Sequence, residues 1–189
     1  RNLVRQKLYV AVNVAGLAIA LTVCLLIIGF LNNELTFEHC HLKRDRIYRV
    51  DGIYQFREAS VSMANIMPAL GPAMKAEFPE IEQMARLRVL DNVTVAFEED
   101  LSLVESRVFA AEPALLDIFT LPLKYGNSKS ALDAPYSVII SNEMAKTYFP
   151  DLNPVGQTIR LNDKFDCQIT GVLEKIPVNT QIFSNFIVS

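Results

Sequence analysis

The side chains best suited to metal binding in this sequence lie close together, between Glu34 and His41. Glu34, Glu38 and His41 fall at i, i+4 and i+7, so a helix would place them on one stripe, beside His39 and Cys40. Carboxylates, imidazoles and a thiolate could together hold a metal such as zinc. A closed site needs four well-placed ligands, however, and no matching His or Cys pair follows downstream. We therefore predict a solvated face here, with no metal and no cofactor.

Other catalytic chemistry is not favoured either. His39 and His41 are the two histidines and lie one residue apart near the apolar segment, which disfavours a Ser-His-Asp or Cys-His arrangement. The sequence has no Gly-rich phosphate loop. Three cysteines do not form a disulfide framework, and a bridge between Cys40 and Cys167 remains open. We predict that the protein is not an enzyme, and a membrane-anchored hydrolase ranks behind the alternatives considered below.

The uncharged stretch from Leu8 to Leu31 determines where the rest of the chain lies relative to a membrane. As a helix it would extend roughly 36 Å, enough to cross a hydrocarbon core of about 30 Å. A cleaved signal peptide is the rival interpretation, but its apolar region is about 7–15 residues long and ends at a small-x-small cleavage site. This run is longer, and Phe30 to Glu34 offers no such site. The sequence therefore predicts a retained transmembrane helix.

The charges that flank this helix predict its orientation. Arg1, Arg5 and Lys7 precede it, whereas no basic residue follows it before Lys43. Because positive flanks stay in the cytoplasm, we expect the N-terminus inside and the chain from about Asn32 outside.

One face of the predicted helix carries small and polar residues. Asn13, Gly16 and Ala20 fall at i, i+3 and i+7, and the Gly-xxx-Ala spacing allows a second backbone to approach closely. We expect this face to pack against other helices, the alternative being a single-pass anchor that tolerates one Asn.

Composition limits the function classes. The chain of 189 residues has a net charge of −3, and three of its 18 basic residues precede the apolar run, so the remainder is more acidic still. Nucleic-acid binding requires the neutralisation of phosphates, and we predict no such partner. The residues after the helix suffice for one domain or two small lobes.

The first half of this domain is predicted to begin with a stalk that continues the helix from Asn32 to Leu42. Next, we expect a strand, a helix and a strand, which together favour an α/β layer. The two strands are Arg46–Val50 and Ile81–Leu90. The helix between them starts near Pro68 or Pro72 and ends at Pro79, and its apolar stripe is Leu70, Ala73, Met74 and Phe78.

The sequence of the second half of the domain predicts hairpins and two helices. We expect a hairpin around the acidic turn Glu98-Glu99-Asp100, a helix capped by Ser141 and a hairpin turned at Asn162-Asp163. Asn153, Pro154 and Gly156 predict a structural turn with Gly156 at positive φ. The other elements are a helix over Pro113–Phe119 and strands over Leu121–Tyr125, Tyr136–Ile140 and Phe183–Val188.

Taken in order, several motifs resemble MacB-like ABC-transporter permeases of the MacB/FtsX/lipoprotein-release superfamily. Cys40 stands where members commonly carry an aromatic residue, and Thr180-Gln181 where they carry a Ser-His pair. The motifs that carry the resemblance are the anchor, Asn33-Glu-Leu-Thr-Phe37, Asp45 to Val50, Pro72 to Glu80, Asp117-Ile-Phe119 with Leu123 and Gly126, Ser141 to Phe149, Asn153-Pro-Val-Gly156, Thr170-Gly-Val172 and Ile176-Pro177.

The resemblance implies an α+β fold: one N-terminal transmembrane helix and a two-lobed domain with a βαβ-containing lobe and an inserted, strand-rich lobe. The implied organisation is a cytoplasmic flank (1–7), a transmembrane helix (8–31), a stalk (32–45) and a periplasmic core domain (46–189). Within that domain, 46–90 with 170–189 would form the membrane-proximal lobe and 91–169 the inserted lobe.

The function implied by the resemblance is that of a permease fragment in the inner membrane, which transmits ATP-driven motion to a periplasmic domain for export or efflux. The implied partners are membrane lipid, a cytoplasmic ABC ATPase, the remaining spans of the permease and a second copy in a homodimer. The alternative is the extracytoplasmic sensor domain of a membrane-anchored signalling protein.

Overall fold

The computed structural model of the protein describes residues 7–57, 59–98, 101–150, 152–174 and 179–189. Parts of three sequence features lie outside the described residues: the basic flank at Arg1 and Arg5, the acidic turn at Glu99-Asp100, and the motif Ile176-Pro177. The chain divides into one unit that ends at His39 and a second unit, Cys40–Ser189.

The first unit is dominated by α1 (Lys7–Leu35), which extends the predicted Leu8–Leu31 span at both ends. Its 29 residues reach about 43 Å, and none of them is buried. Within the described residues it is the helix long and apolar enough to cross a membrane. The predicted continuation to Leu42 is wrong beyond Leu35, because turns follow and Glu38 has a left-handed φ of 60°.

The beginning of the second unit differs from the prediction. Arg46–Val50 is not a strand, because Arg44–Arg46 forms a 3₁₀ turn and the extended segment after it has no strand partner. Two exposed strands follow instead and pair antiparallel with each other as a separate sheet: β1 (Gly52–Phe56) and β2 (Ala59–Met63). The strand–helix–strand unit expected here is therefore a hairpin, a helix and a short strand.

The helix of this region ends where the sequence indicates. It is α2 (Leu70–Glu77), with Phe78 as its C-cap and Pro79 directly after. Its predicted apolar stripe is covered less than expected, since Leu70 and Met74 are half-buried and Phe78 is exposed. The strand that follows is shorter than predicted: β3 is Leu87–Leu90.

In the described residues a nine-stranded sheet forms the body of the domain, in the order β3-β6-β11-β8-β10-β9-β4-β5, with β7 also paired to β10. Its further strands are β4 (Val93–Glu98), β5 (Leu101–Glu105), β6 (Val108–Ala111), β7 (Leu123–Gly126), β8 (Ser137–Ile140), β9 (Thr158–Leu161), β10 (Phe165–Leu173) and β11 (Phe186–Val188). Two helices accompany them, α3 (Leu115–Ile118) and α4 (Asn142–Tyr148).

Several local predictions in this half are confirmed. The hydroxyl of Ser141 accepts a hydrogen bond from the amide of Met144 at 3.1 Å and caps α4. Asn162 and Asp163 have positive φ, of 50° and 56°, in the three-residue loop between β9 and β10, where Leu161 pairs with Phe165. The hairpin of β4 and β5 also forms.

Two apolar cores cover the two faces of the sheet. Because side chains alternate along a strand, Val138 and Ile140 of β8 join one core and Ile139 joins the other. The buried face of α4 packs in the first core, and Leu115 of α3 packs in the second. Both cores are closed by β11, whose Phe186 and Ile187 point to opposite faces.

The fold is thus mixed α+β, with an N-terminal apolar helix and a strand-rich sheet domain. A parallel strand–helix–strand connection is present, formed by β8, α4 and β10 rather than by the first half of the domain. Since β11 pairs with both β6 and β8, one sheet spans the segments that the resemblance assigns to separate lobes. The division into two lobes stays a prediction.

Candidate functional site

The residues that follow the apolar helix in sequence enter the domain through a cluster of buried and hydrogen-bonded groups. His41 is the first buried residue along the described chain, with 2% of its surface exposed, whereas the adjacent Leu42 is 89% exposed. The prediction of a solvated face is therefore wrong for His41. We call this cluster the junction; its members are His41, Leu42, Lys43, Asp117, Phe119, Thr120 and Thr180.

Both ring nitrogens of His41 take part in hydrogen bonds at the junction. The backbone amide of Thr120 donates to Nδ1 at 3.2 Å, so Nδ1 carries a lone pair. The ring proton then lies on Nε2, which donates to the hydroxyl oxygen of Thr180 at 3.1 Å. Phe119 packs edge-on against the imidazole, with ring centroids 5.0 Å apart. These contacts fix both the tautomer and the orientation of the ring.

The next two residues add contacts to the same loop. The amide of Leu42 donates to the hydroxyl of Thr120 at 2.9 Å, so Thr120 binds the entering chain through its main chain and its side chain. The ammonium of Lys43 donates to the carbonyl oxygen of Asp117 at 2.8 Å, close to the C-terminus of α3, where cations are favourable. These groups are solvent-exposed, beside an open groove of about 510 Å³ that Leu42 and Lys43 help to line.

The partners of His41 are themselves anchored in one core. Thr120 lies between Phe119, which packs against that core, and the buried Leu121. Thr180 is 5% exposed, and its hydroxyl also accepts a hydrogen bond from the amide of Ile182, which belongs to the same core. A displacement of His41 is therefore resisted by groups that the sheet holds in place.

An ion pair fixes the segment on the other side of α3. The guanidinium of Arg86 donates to the carboxylate of Glu112 through Nε at 2.8 Å and also through a terminal nitrogen. The same carboxylate accepts from the amide of Arg86 at 3.0 Å. These hydrogen bonds hold the pKa of Glu112 below its ordinary value. They join the start of β3 to the residues that lead into α3.

Two motifs of the sequence meet where β7 pairs with β10. Gly126 lies opposite Gly171 and has φ of +97°. A Cβ on Gly126 would lie 2.3 Å from the carbonyl oxygen of Thr170, so only glycine fits there. The hydroxyl of Thr170 donates to the carbonyl of Ala131 at 2.5 Å. These contacts place the loop of Thr120 at one end of the long strand β10.

The predicted turn residues lie at the other side of β10. The side chain of Asn153 accepts from the amide of Val155 at 3.2 Å, and Pro154 is buried. Gly156 has φ of +94°, and its amide donates to the carbonyl of Ile169 at 2.7 Å. These contacts fix the approach to β9.

The predicted packing face of α1 is exposed throughout. Asn13, Gly16 and Ala20 are all exposed in the described chain, and a Cβ on Gly16 would meet nothing within 4 Å. Its role in packing against other helices stays a prediction.

Two buried side chains of the domain, Cys167 and Tyr148, have raised pKa values. Cys167 is a free thiol, so no disulfide joins it to Cys40. Burial raises the pKa of the Cys167 thiol, and the neighbouring Asp166 carboxylate raises it further, so this sulfur is held as the weakly nucleophilic thiol. Burial, with a smaller contribution from Glu105, raises the pKa of Tyr148 to about 12.

Comparison with known proteins agrees with this architecture. Residues 10–189 match the family model described as MacB-like periplasmic core domain. No curated protein matches the chain in sequence.

Among solved structures, a domain of a protein described as a permease, from Porphyromonas gingivalis, aligns with a TM-score of 0.61 at 24% identity, over 73% of this chain and 59% of that one. The periplasmic region of MacB from Actinobacillus actinomycetemcomitans aligns at 16% identity with a TM-score of 0.44, over 58% and 51% of the two chains. The extracellular domain of the noncanonical ABC-type transporter YknZ from Gram-positive bacteria aligns at 19% identity with a TM-score of 0.43, over 57% and 54%.

The chain spans less than two thirds of the length of each of these solved domains. The first of them shares its fold. Because the family model covers nearly the whole sequence, from the apolar helix to the last strand, the chain belongs to the MacB-like periplasmic core domain family.

Proposed function

We propose that this chain is the first membrane span and most of the periplasmic core domain of an ABC-transporter permease, and that it transmits motion rather than catalysing a reaction. ATP hydrolysis in the cytoplasm would move the membrane helices, and the domain would carry this movement to the outer side for export or efflux. The observation that carries the proposal is the junction, where the chain that follows the apolar helix is fixed to the core by His41.

The partners of such a protein follow from the same proposal. A cytoplasmic ABC ATPase supplies the energy, the remaining spans of the permease surround α1, and a second copy completes a homodimer in the inner membrane. The exposed face of Asn13, Gly16 and Ala20 supports helix packing, because small residues let backbones approach and an amide in a bilayer usually faces protein.

The proposal is tested by loosening the connection between the helix and the domain. In the full-length permease with its ATPase, a flexible Gly/Ser segment is inserted between His39 and Cys40, beyond the end of α1 and before the junction. The helix could then move without displacing the domain. We expect ATP hydrolysis to persist while export falls.

A matched control inserts the same segment after Ala64, in the exposed loop between β2 and α2. This variant should keep both activities. Full export by the His39–Cys40 insertion would refute transmission through this connection. Loss of hydrolysis in an assembled, folded insertion variant would show that the span acts on the ATPase directly.

The sensor-domain alternative predicts something different. A signalling protein would not require an ATPase, and deletion of the partner ATPase would leave its activity intact. No contact in the described chain favours that alternative.

A further inference from the structure

We propose that His41 is the coupling residue of the junction: its imidazole is the rigid link through which displacement of the preceding chain reaches the core domain. This inference rests on the proposed function and identifies the side chain through which the motion is transmitted. Movement that arrives at Cys40 along the chain meets His41 as the first buried side chain of the described residues.

A rigid link requires a side chain that cannot rotate away. The imidazole of His41 is held at three points: by the amide of Thr120 at Nδ1, by the hydroxyl of Thr180 at Nε2, and by the ring of Phe119. Leu42, the next residue, is almost fully exposed, so its side chain offers no comparable hold. A flexible main chain alone would let the helix move without carrying the domain.

The two hydrogen-bond partners connect His41 to distant parts of the sequence. Thr120 is 79 residues away and Thr180 is 139 residues away. Thr120 directly precedes Leu121, and Thr180 accepts a hydrogen bond from the amide of Ile182; Leu121 and Ile182 belong to one apolar core on the same face of the large sheet. Force applied at one imidazole is thus distributed to two separate segments of a close-packed core, which transmits strain because it deforms little.

The test uses the full-length permease with its ATPase. His41→Ala removes the link. Thr180→Val, which is close in shape, removes the hydroxyl that accepts from Nε2 and from the amide of Ile182, whereas Thr180→Ser keeps a hydroxyl. Thr147→Val serves as the control outside the junction, because it removes a threonine hydroxyl that donates to the carbonyl of Glu143, in the same domain.

We expect export to fall about tenfold or more in His41→Ala with ATP hydrolysis unchanged within about twofold, since one or two lost hydrogen bonds correspond to such factors. Thr180→Val should lower export less, and Thr180→Ser and Thr147→Val should leave it unchanged. The readout that reports the contact itself is amide hydrogen exchange: the Thr120 amide should exchange about fivefold to tenfold faster in His41→Ala and at the normal rate in Thr180→Val.

The results separate the inference from the function on which it rests. If His41→Ala exports normally while its Thr120 amide exchanges faster, the role of His41 is overturned. The proposed function is then still decided by the His39–Cys40 insertion. If that insertion has no effect on export, the proposed function fails and the inference fails with it. If His41→Ala does not fold, Thr180→Val decides: lowered export with normal hydrolysis supports the inference, and normal export overturns it.

Discussion

Gly126 and Gly171 face each other across β7 and β10 so closely that the backbone leaves no space for a side chain on Gly126. A Cβ there would lie 2.8 Å from Cα of Gly171, in addition to its clash with the carbonyl oxygen of Thr170. The clash involves main-chain atoms, which no rotamer change can relieve. This approach fixes β7, and with it the loop that carries Thr120, against the central strand of the domain.

Gly126→Ala should therefore destabilise the domain strongly. A residue other than Gly at this φ costs about 1–3 kcal/mol, and the forced shift of β10 adds a similar amount, so we expect a loss of about 2–6 kcal/mol. Urea unfolding of the chain in detergent micelles, followed by near-UV circular dichroism, measures it.

Gly156 supplies the matched control, because its φ of +94° is nearly the same but a Cβ would meet nothing within 4 Å. Gly156→Ala should cost only the conformational strain, about 1–3 kcal/mol, and Gly156→Val more because Val is β-branched. Equal losses for the two alanine variants would show that the close approach at Gly171 relaxes freely.

Ser141→Ala should loosen the first turn of α4. It removes the cap on the Met144 amide and the contact of the Ser141 hydroxyl with Asn185 Oδ1 at 3.2 Å, so the expected loss is about 1–2 kcal/mol. Thr147→Ala, in the same helix but exposed, should change stability by less than about 0.5 kcal/mol. If the two variants have the same unfolding curve, the capping role of Ser141 is contradicted.

Tyr148→Phe should leave stability unchanged or raise it slightly. The hydroxyl is buried and has no hydrogen-bond partner among the described residues, so its removal relieves a desolvation cost. Because burial raises the folded-state pKa of Tyr148 from 10.0 to about 12, the phenol is neutral in both states below pH 10, and ionisation of the unfolded chain lowers the free energy of unfolding between pH 10 and about 12. Tyr148→Phe should lack that alkaline loss in unfolding experiments, whereas a clear loss of stability at pH 7 would point to a partner for the hydroxyl.

The topology of the span is tested by labelling from outside. Tyr48 is 83% exposed, which makes Tyr48→Cys a better target than the half-buried Cys40. We expect an impermeant maleimide to label Tyr48→Cys in right-side-out membrane vesicles and to label Lys7→Cys only after the vesicles are opened, because positive flanks remain inside. The reverse pattern would exclude a periplasmic domain.

The features that the sequence predicts well are those determined by neighbouring residues. The Ser141 cap, the Asn162-Asp163 turn and the end of α2 before Pro79 each depend on a few adjacent side chains. The apolar run up to Leu31 likewise predicts its own helix.

Pairing across the chain was less predictable. The alternation of Ile47, Arg49 and their neighbours suggests a strand, but a strand needs a partner, and Arg46 and Arg49 instead form ion pairs with Glu82 and Asp51. The local alternation of apolar and polar residues does not indicate which distant residues a segment will pair with.

The junction was missed for the same reason. His41 reads as one more polar residue at a membrane exit, because its hydrogen-bond partners are far away in sequence. The resemblance places a Ser where Thr180 stands, and this residue would also supply a hydroxyl. The structure shows the hydroxyl oxygen of Thr180 accepting from the buried imidazole of His41.

The place of β11 in the sheet has a consequence for biosynthesis. Phe186–Val188 is the last described strand along the chain, yet it lies between β6 and β8 and closes both cores. During translation, β6 and β8 leave the ribosome long before their shared neighbour, and their inner edges remain unpaired until it arrives. Non-local pairing of this kind slows folding and exposes strand edges to aggregation. A nascent chain halted before Phe186 would therefore need chaperones to protect the unpaired edges of β6 and β8, and this need would end once β11 has paired with both strands.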